Sequence, residues 1–65
     1  MKYYIHFDRW FFGKESGYTG IIKDALSFES KDDAIEFLRR ENMIDFINDF
    51  DILTEDELLV LIIIE

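Results

Sequence analysis

Apolar positions change their spacing along the chain, and each spacing predicts a different element. Between about Lys2 and Phe12 the pattern is that of one long strand, with Tyr3, Ile5, Phe7, Arg9 and Phe11 on one face and Tyr4, His6, Asp8, Trp10 and Phe12 on the other. Gly13, Gly17 and Gly20 are the only glycines in a chain without proline, and they bracket Lys14-Glu15-Ser16 as the loop of a β-hairpin. A second strand is predicted from about Tyr18 to Ile22, resuming near Ala25 to Phe28.

After Ser30 the period becomes helical. Ala34, Ile35, Phe37 and Leu38 gather on one side, Ser30 is the natural N-cap, Asp32 and Asp33 suit the positive end of the helix dipole, and Arg39 and Arg40 suit the other end. Met43, Phe46, Ile47 and Phe50 then recur at i, i+3, i+4 and i+7, which predicts more helix, as a continuation or as a new helix after Asn42. The last segment carries two signals. Thr54-Glu55-Asp56-Glu57 has capping-box spacing, whereas Val60, Ile62, Ile63 and Ile64 are β-branched. A strand from about Leu58 to Ile64 is expected, with Thr54 to Glu57 as a turn. The expected fold class is α+β, a single small domain over 1–65 in the order β-β-α-α-β, with a three-stranded sheet and the helices on one face.

Composition narrows the class further. A chain of 65 residues buries only about 60% of its unfolded surface, and without cysteine it has neither disulfides nor a thiolate metal site to staple it. The hydrophobic fraction of 49%, with seven Phe, three Tyr and one Trp, excludes disorder. The first residues lack the apolar core of a signal peptide. The longest apolar run, Leu58 to Ile64, is seven residues, against the roughly 18 needed to cross a bilayer. A cytoplasmic location and no membrane contact are therefore expected. The same run is apolar on both faces of the expected strand, which points to burial against a second copy or a partner, and so to a homo-oligomer.

Charge divides the chain. Residues 1–40 hold all seven bases and seven acids, while the last 25 residues hold eight acids and no base, and so carry the whole formal charge of −8. Were residues 41–50 α-helical, Glu41, Asp45 and Asp49 would form a line opposite the buried stripe. The step of eight residues from Glu41 to Asp49 would span about 12 Å, over which one strand of duplex DNA carries about three to four charges. Asp51, Glu55, Asp56 and Glu57 would extend the field.

The usual chemistries find few residues to carry them. His6 and Asp8 share a strand face, but no nucleophile accompanies them: there is no Cys, no Gly-x-Ser-x-Gly elbow, and Ser16, Ser27 and Ser30 have turn or cap explanations. Asp49-Phe50-Asp51 opens like a calcium loop, but Leu53 and Thr54 stand where an oxygen ligand and a glycine are required. Gly13 to Gly17 is neither a P-loop nor a dinucleotide fingerprint. No catalytic residue, metal or cofactor is expected. Aromatic residues crowd the first strand, but stacking of bases also needs a positive groove, so direct nucleic-acid binding is not expected at this charge. Tyr4, Trp10 and Phe12 are instead a candidate protein-contact patch.

An acidic, structured surface fits a basic surface on another protein, and basic surfaces are mostly nucleic-acid sites. The profile of a very short, acidic, aromatic-rich chain without Cys or a catalytic set resembles small phage-encoded inhibitors of bacterial defence, including anti-CRISPR proteins and other DNA mimics. The resemblance is one of size and composition over the whole chain. It implies a non-enzymatic inhibitor that occupies the basic surface of a host nucleic-acid-binding protein. The alternatives are an antitoxin or immunity protein neutralising a basic toxin, and a structural subunit whose acidic face is only solvated.

Overall fold

The first apolar run folds back on itself after five residues. In the computed structural model, which describes residues 1–15 and 17–64, with backbone alone over 61–64, β1 (Tyr3–Phe7) is followed by Asp8-Arg9 and then β2 (Trp10–Phe12). Ser16, assigned above to the hairpin loop, and Glu65, one of the C-terminal acids, lie outside the described residues. The two strands are antiparallel, with His6 opposite Phe11 and Phe7 opposite Trp10. Asp8 takes a φ of 55°, a left-handed conformation that Asp tolerates better than most residues, so the chain reverses without glycine. Directly opposed residues share a face, so Trp10 joins Phe7, and Phe11 joins His6. The expected single strand from Lys2 to Phe12 is thus corrected. The turn inverts the parity of everything after it, and Trp10 and Phe12 stand on the Ile5 side, away from Tyr4.

The sheet is antiparallel and has five strands where three were expected. β3 (Tyr18–Thr19) pairs with β2, while β4 (Ser27–Phe28) and β5 (Asp51–Thr54) both pair with β1. A strand has two edges. β5 runs along Tyr3 to His6 on one of them, and β2 and β4 divide the other, β2 at His6-Phe7 and β4 at Tyr3-Tyr4. The second strand predicted from Tyr18 to Ile22 ends at Thr19. A 3₁₀ turn at Ile22–Asp24 follows, and the chain rejoins the sheet through a bridge of Ala25 to Gly13. Gly17, at φ 69°, supplies the positive φ that closes the loop, where the Gly13 N–H donates to the Gly17 carbonyl at 2.9 Å.

α1 (Lys31–Arg40) has both predicted ends. Ser30 Oγ accepts from the Asp33 N–H at 3.1 Å. At the other end Asn42, at φ 59°, completes a Schellman motif: its N–H donates to the Arg39 carbonyl at 3.1 Å, and that of Met43 to the Leu38 carbonyl at 2.8 Å. The helix therefore stops, and Ile44–Asp49 is a separate 3₁₀ segment with a kink at Phe46. Of the expected buried stripe, Met43, Ile47 and Phe50 pack on the core, while Phe46 is 57% exposed. With about 3.0 residues per turn, the α-helical spacing no longer brings all four to one side.

The C-terminal segment departs from expectation. Glu55–Ile64 is a helix, α2, in place of a strand from Leu58 to Ile64. Thr54 and Glu57 form the reciprocal pair that capping-box spacing allows: the Glu57 N–H donates to Thr54 Oγ1 at 3.3 Å, and the Thr54 N–H donates to Glu57 Oε1 at 2.9 Å. A local contact three residues apart decides the segment against the strand preference of its β-branched residues. The helices also lie on both faces of the sheet, not one. Ala34 and Leu38 of α1 close over Ile5, Phe12 and Phe28. On the other face Leu58 of α2 closes over Phe11 and Ala25, with Tyr4, Ile22 and Leu53 around them.

Candidate functional site

The acidic half is distributed over three elements and the cap that ends α1, and every one of its described acids is exposed. Glu41 follows α1 directly, Asp45 and Asp49 belong to the 3₁₀ segment, Asp51 opens β5, and Glu55, Asp56 and Glu57 form the first turn of α2. The straight row expected of Glu41, Asp45 and Asp49 is absent. Asn42 separates the first from the others, and a step of four residues in a 3₁₀ segment turns about 120° past a full revolution. The structure thus spreads these acids from the end of α1 through the 3₁₀ segment and β5 to the start of α2, and does not set them in an α-helical line.

Few of these charges are neutralised locally. Among the described residues the ion pairs are Lys2 with Glu29, and Arg39 with Glu36 at 3.4 Å, both drawing on acids of the first 40 residues. Bases border some of the same hollows, Lys31 beside Asp51 and Lys2, Lys14 and Lys23 beside Glu55, without closing to ion pairs. Glu57 is tied more closely than the rest. The Thr54 backbone N–H, and then the Thr54 hydroxyl, which donates to Oε1 at 3.0 Å, hold its carboxyl below the usual carboxylate value. The three acids at the start of α2 also have a structural role, since they face the positive end of its dipole.

The aromatic patch of the sequence reading is divided. Tyr4 is half-buried beneath α2, and Phe12 is 8% exposed within the α1-side core. Trp10 alone of the three is open, at 47%. It borders a shallow hollow with Phe7 and Tyr18 instead. Tyr18 was not singled out from the sequence, although the glycine-bracketed loop carried the signal, since a hairpin closed by Gly13 and Gly17 places Tyr18 opposite Phe12. His6 stays on β1, whereas Asp8 opens the turn, so the two do not share the expected strand face, and His6 stands opposite Asp51 on β5. Its ring lies 4.9 Å from that of Phe11, and its buried Nδ1 has no hydrogen-bond partner.

Among the described residues no three His, Asp or Glu side chains gather as a metal-ligand set, and no helix is long and apolar enough to cross a membrane. Comparison with protein-family models, with curated proteins and with solved structures finds no match to the chain.

Proposed function

We propose that this protein is a small acidic inhibitor that occupies a basic, nucleic-acid-binding surface of a host protein, in the manner of the anti-CRISPR and DNA-mimic proteins of phages. One observation carries the reading: Glu41, Asp45, Asp49, Asp51, Glu55, Asp56 and Glu57, on defined elements or, for Glu41, the cap of α1, are all exposed, and among the described residues none is ion-paired. Eight acids without a base over the last 25 residues exceed what solubility asks of a small surface, which is served by mixed signs. A basic groove emptied of its nucleic acid supplies the missing cations. The long-range attraction speeds encounter, and the ordered elements hold the carboxylates in place when the surfaces meet. The experiment is to immobilise the protein, pass host extract over it and challenge the retained partner with duplex DNA and structured RNA. A basic partner released by nucleic acid and by raised salt supports the reading. A partner that no nucleic acid displaces contradicts it.

A further inference from the structure

We propose that the hollow lined by Lys2, Lys14 and Lys23 binds a phosphate dianion, free or as the monoester of a small molecule; this stands apart from the inhibitor reading. The sheet register brings the three lysines together from separate segments. Tyr4 of β1 stands opposite Ser27 of β4, on the face that α2 covers, and Lys2, two residues before Tyr4, falls on the same side. Lys14 follows Gly13, which is bridged to Ala25, and the Lys14 N–H donates to the Asp24 carbonyl at 3.0 Å. Lys23 belongs to the 3₁₀ turn beside that contact. With Tyr4, Ser27 and Glu55 of α2, the lysines line a hollow of about 400 Å³. Three of the four lysines of the chain thus meet at one place.

The charge of the lining itself selects an anion. Among the described residues Glu55 is the one carboxylate that borders the hollow, against three ammonium groups. Lys2 is also paired with Glu29, whereas neither Lys14 nor Lys23 is ion-paired among the described residues. Glu15 and Asp24 border a different hollow, with Lys14 common to the two. The lining therefore holds an excess of two positive charges in a chain of formal charge −8. A phosphate monoester carries about two negative charges near neutral pH. A single carboxylate would meet only half of the excess. Lysine binds phosphate as a point charge, and the Tyr4 and Ser27 hydroxyls add donors for the remaining oxygens. A nucleic acid is a poorer occupant, because its further phosphates would run against the acids of the last 25 residues.

The test is titration of the full chain at pH 7.5 and constant ionic strength, followed by amide nuclear magnetic resonance. The probes are inorganic phosphate and phenyl phosphate, with acetate as the monoanion control. Saturable shifts at Lys14, Lys23 and Ser27 with either phosphate, and none with acetate, are expected. Tighter binding of phenyl phosphate assigns the site to an ester, and equal or tighter binding of inorganic phosphate assigns it to the free ion. Lys14→Gln with Lys23→Gln should weaken binding about tenfold or more. Glu55→Gln should tighten it about threefold, since the carboxylate of the lining no longer repels the ligand. Lys31→Gln, outside this hollow, should leave it unchanged. The wild-type comparison needs no variant, so a variant that fails to fold leaves the test intact. Shifts that do not saturate, or that acetate reproduces, overturn the phosphate site.

Discussion

Thr54 and Glu57 show how a single contact carries both structure and a pH dependence. Glu57 is held below its ordinary value near 4.5 by its hydrogen bonds to Thr54. A lowered folded pKa means that the carboxylate's contribution is fully present above the unfolded value and is lost as pH falls through the lower folded one. Thermal unfolding followed from pH 6 down to pH 3 should show the wild type losing stability below about 4.5, and Glu57→Gln, which keeps the reciprocal bonds without a titrating proton, should show a shallower loss. Glu29, lowered by the Lys2 hydrogen bond, acts in the same direction, so the variant should flatten the acid limb without abolishing it. An unchanged acid limb would dismiss the Glu57 contact. At His6 the unpartnered, buried Nδ1 is a cost, since an unsatisfied buried polar atom typically loses about 1 kcal/mol or more. His6→Leu should therefore raise the melting temperature, and a fall of several degrees would show that the imidazole makes a contact the fold depends on.

At the scale of elements, the parts legible in the sequence are those decided within a few residues. Ser30 and the acids after it set the start of α1, because a cap is a local hydrogen bond, while the sequence left open whether the helix continued past Asn42, which the Schellman turn there decides. Strand parity was not legible in the same way. It depends on whether Asp8-Arg9 turns or extends, and one two-residue turn moves Trp10 and Phe12 to the opposite face. At the C-terminus both signals are visible in the sequence, and the capping box prevails over the β-branched side chains because propensity is a small term that a formed cap and tertiary packing override. The helix keeps one consequence drawn from the strand reading. Leu58 is fully buried, but Leu59 and Val60, next along α2, are exposed and have no cover among the described residues. Self-association through this part of α2 is expected. Sedimentation at micromolar concentration should give a mass above 7.8 kDa, reduced to the monomer by Leu59→Gln with Val60→Gln. A wild-type monomer that stays folded on dilution would exclude it.

For the whole molecule, the separation of charge was fully legible, because it is a count along the chain, whereas its arrangement in space was not. The row of Glu41, Asp45 and Asp49 presumed an α-helix over 41–50, and the break at Asn42 with the 3₁₀ segment after it leaves no such row. Attraction between a net negative chain and a basic surface acts at a distance and does not need the row, so recruitment of a basic partner by these acids remains the proposal. The most direct measurement is the association and dissociation kinetics of the captured partner with wild type and with the triple variant Glu41→Gln, Asp45→Asn, Asp49→Asn, over a range of salt. All three positions are exposed, so the variant should fold about as stably as the wild type, as surface substitutions generally do. It should associate roughly tenfold more slowly at low salt, with dissociation little changed and a weaker dependence on salt. A folded triple variant that binds the partner at the wild-type rate across the salt series would contradict the account.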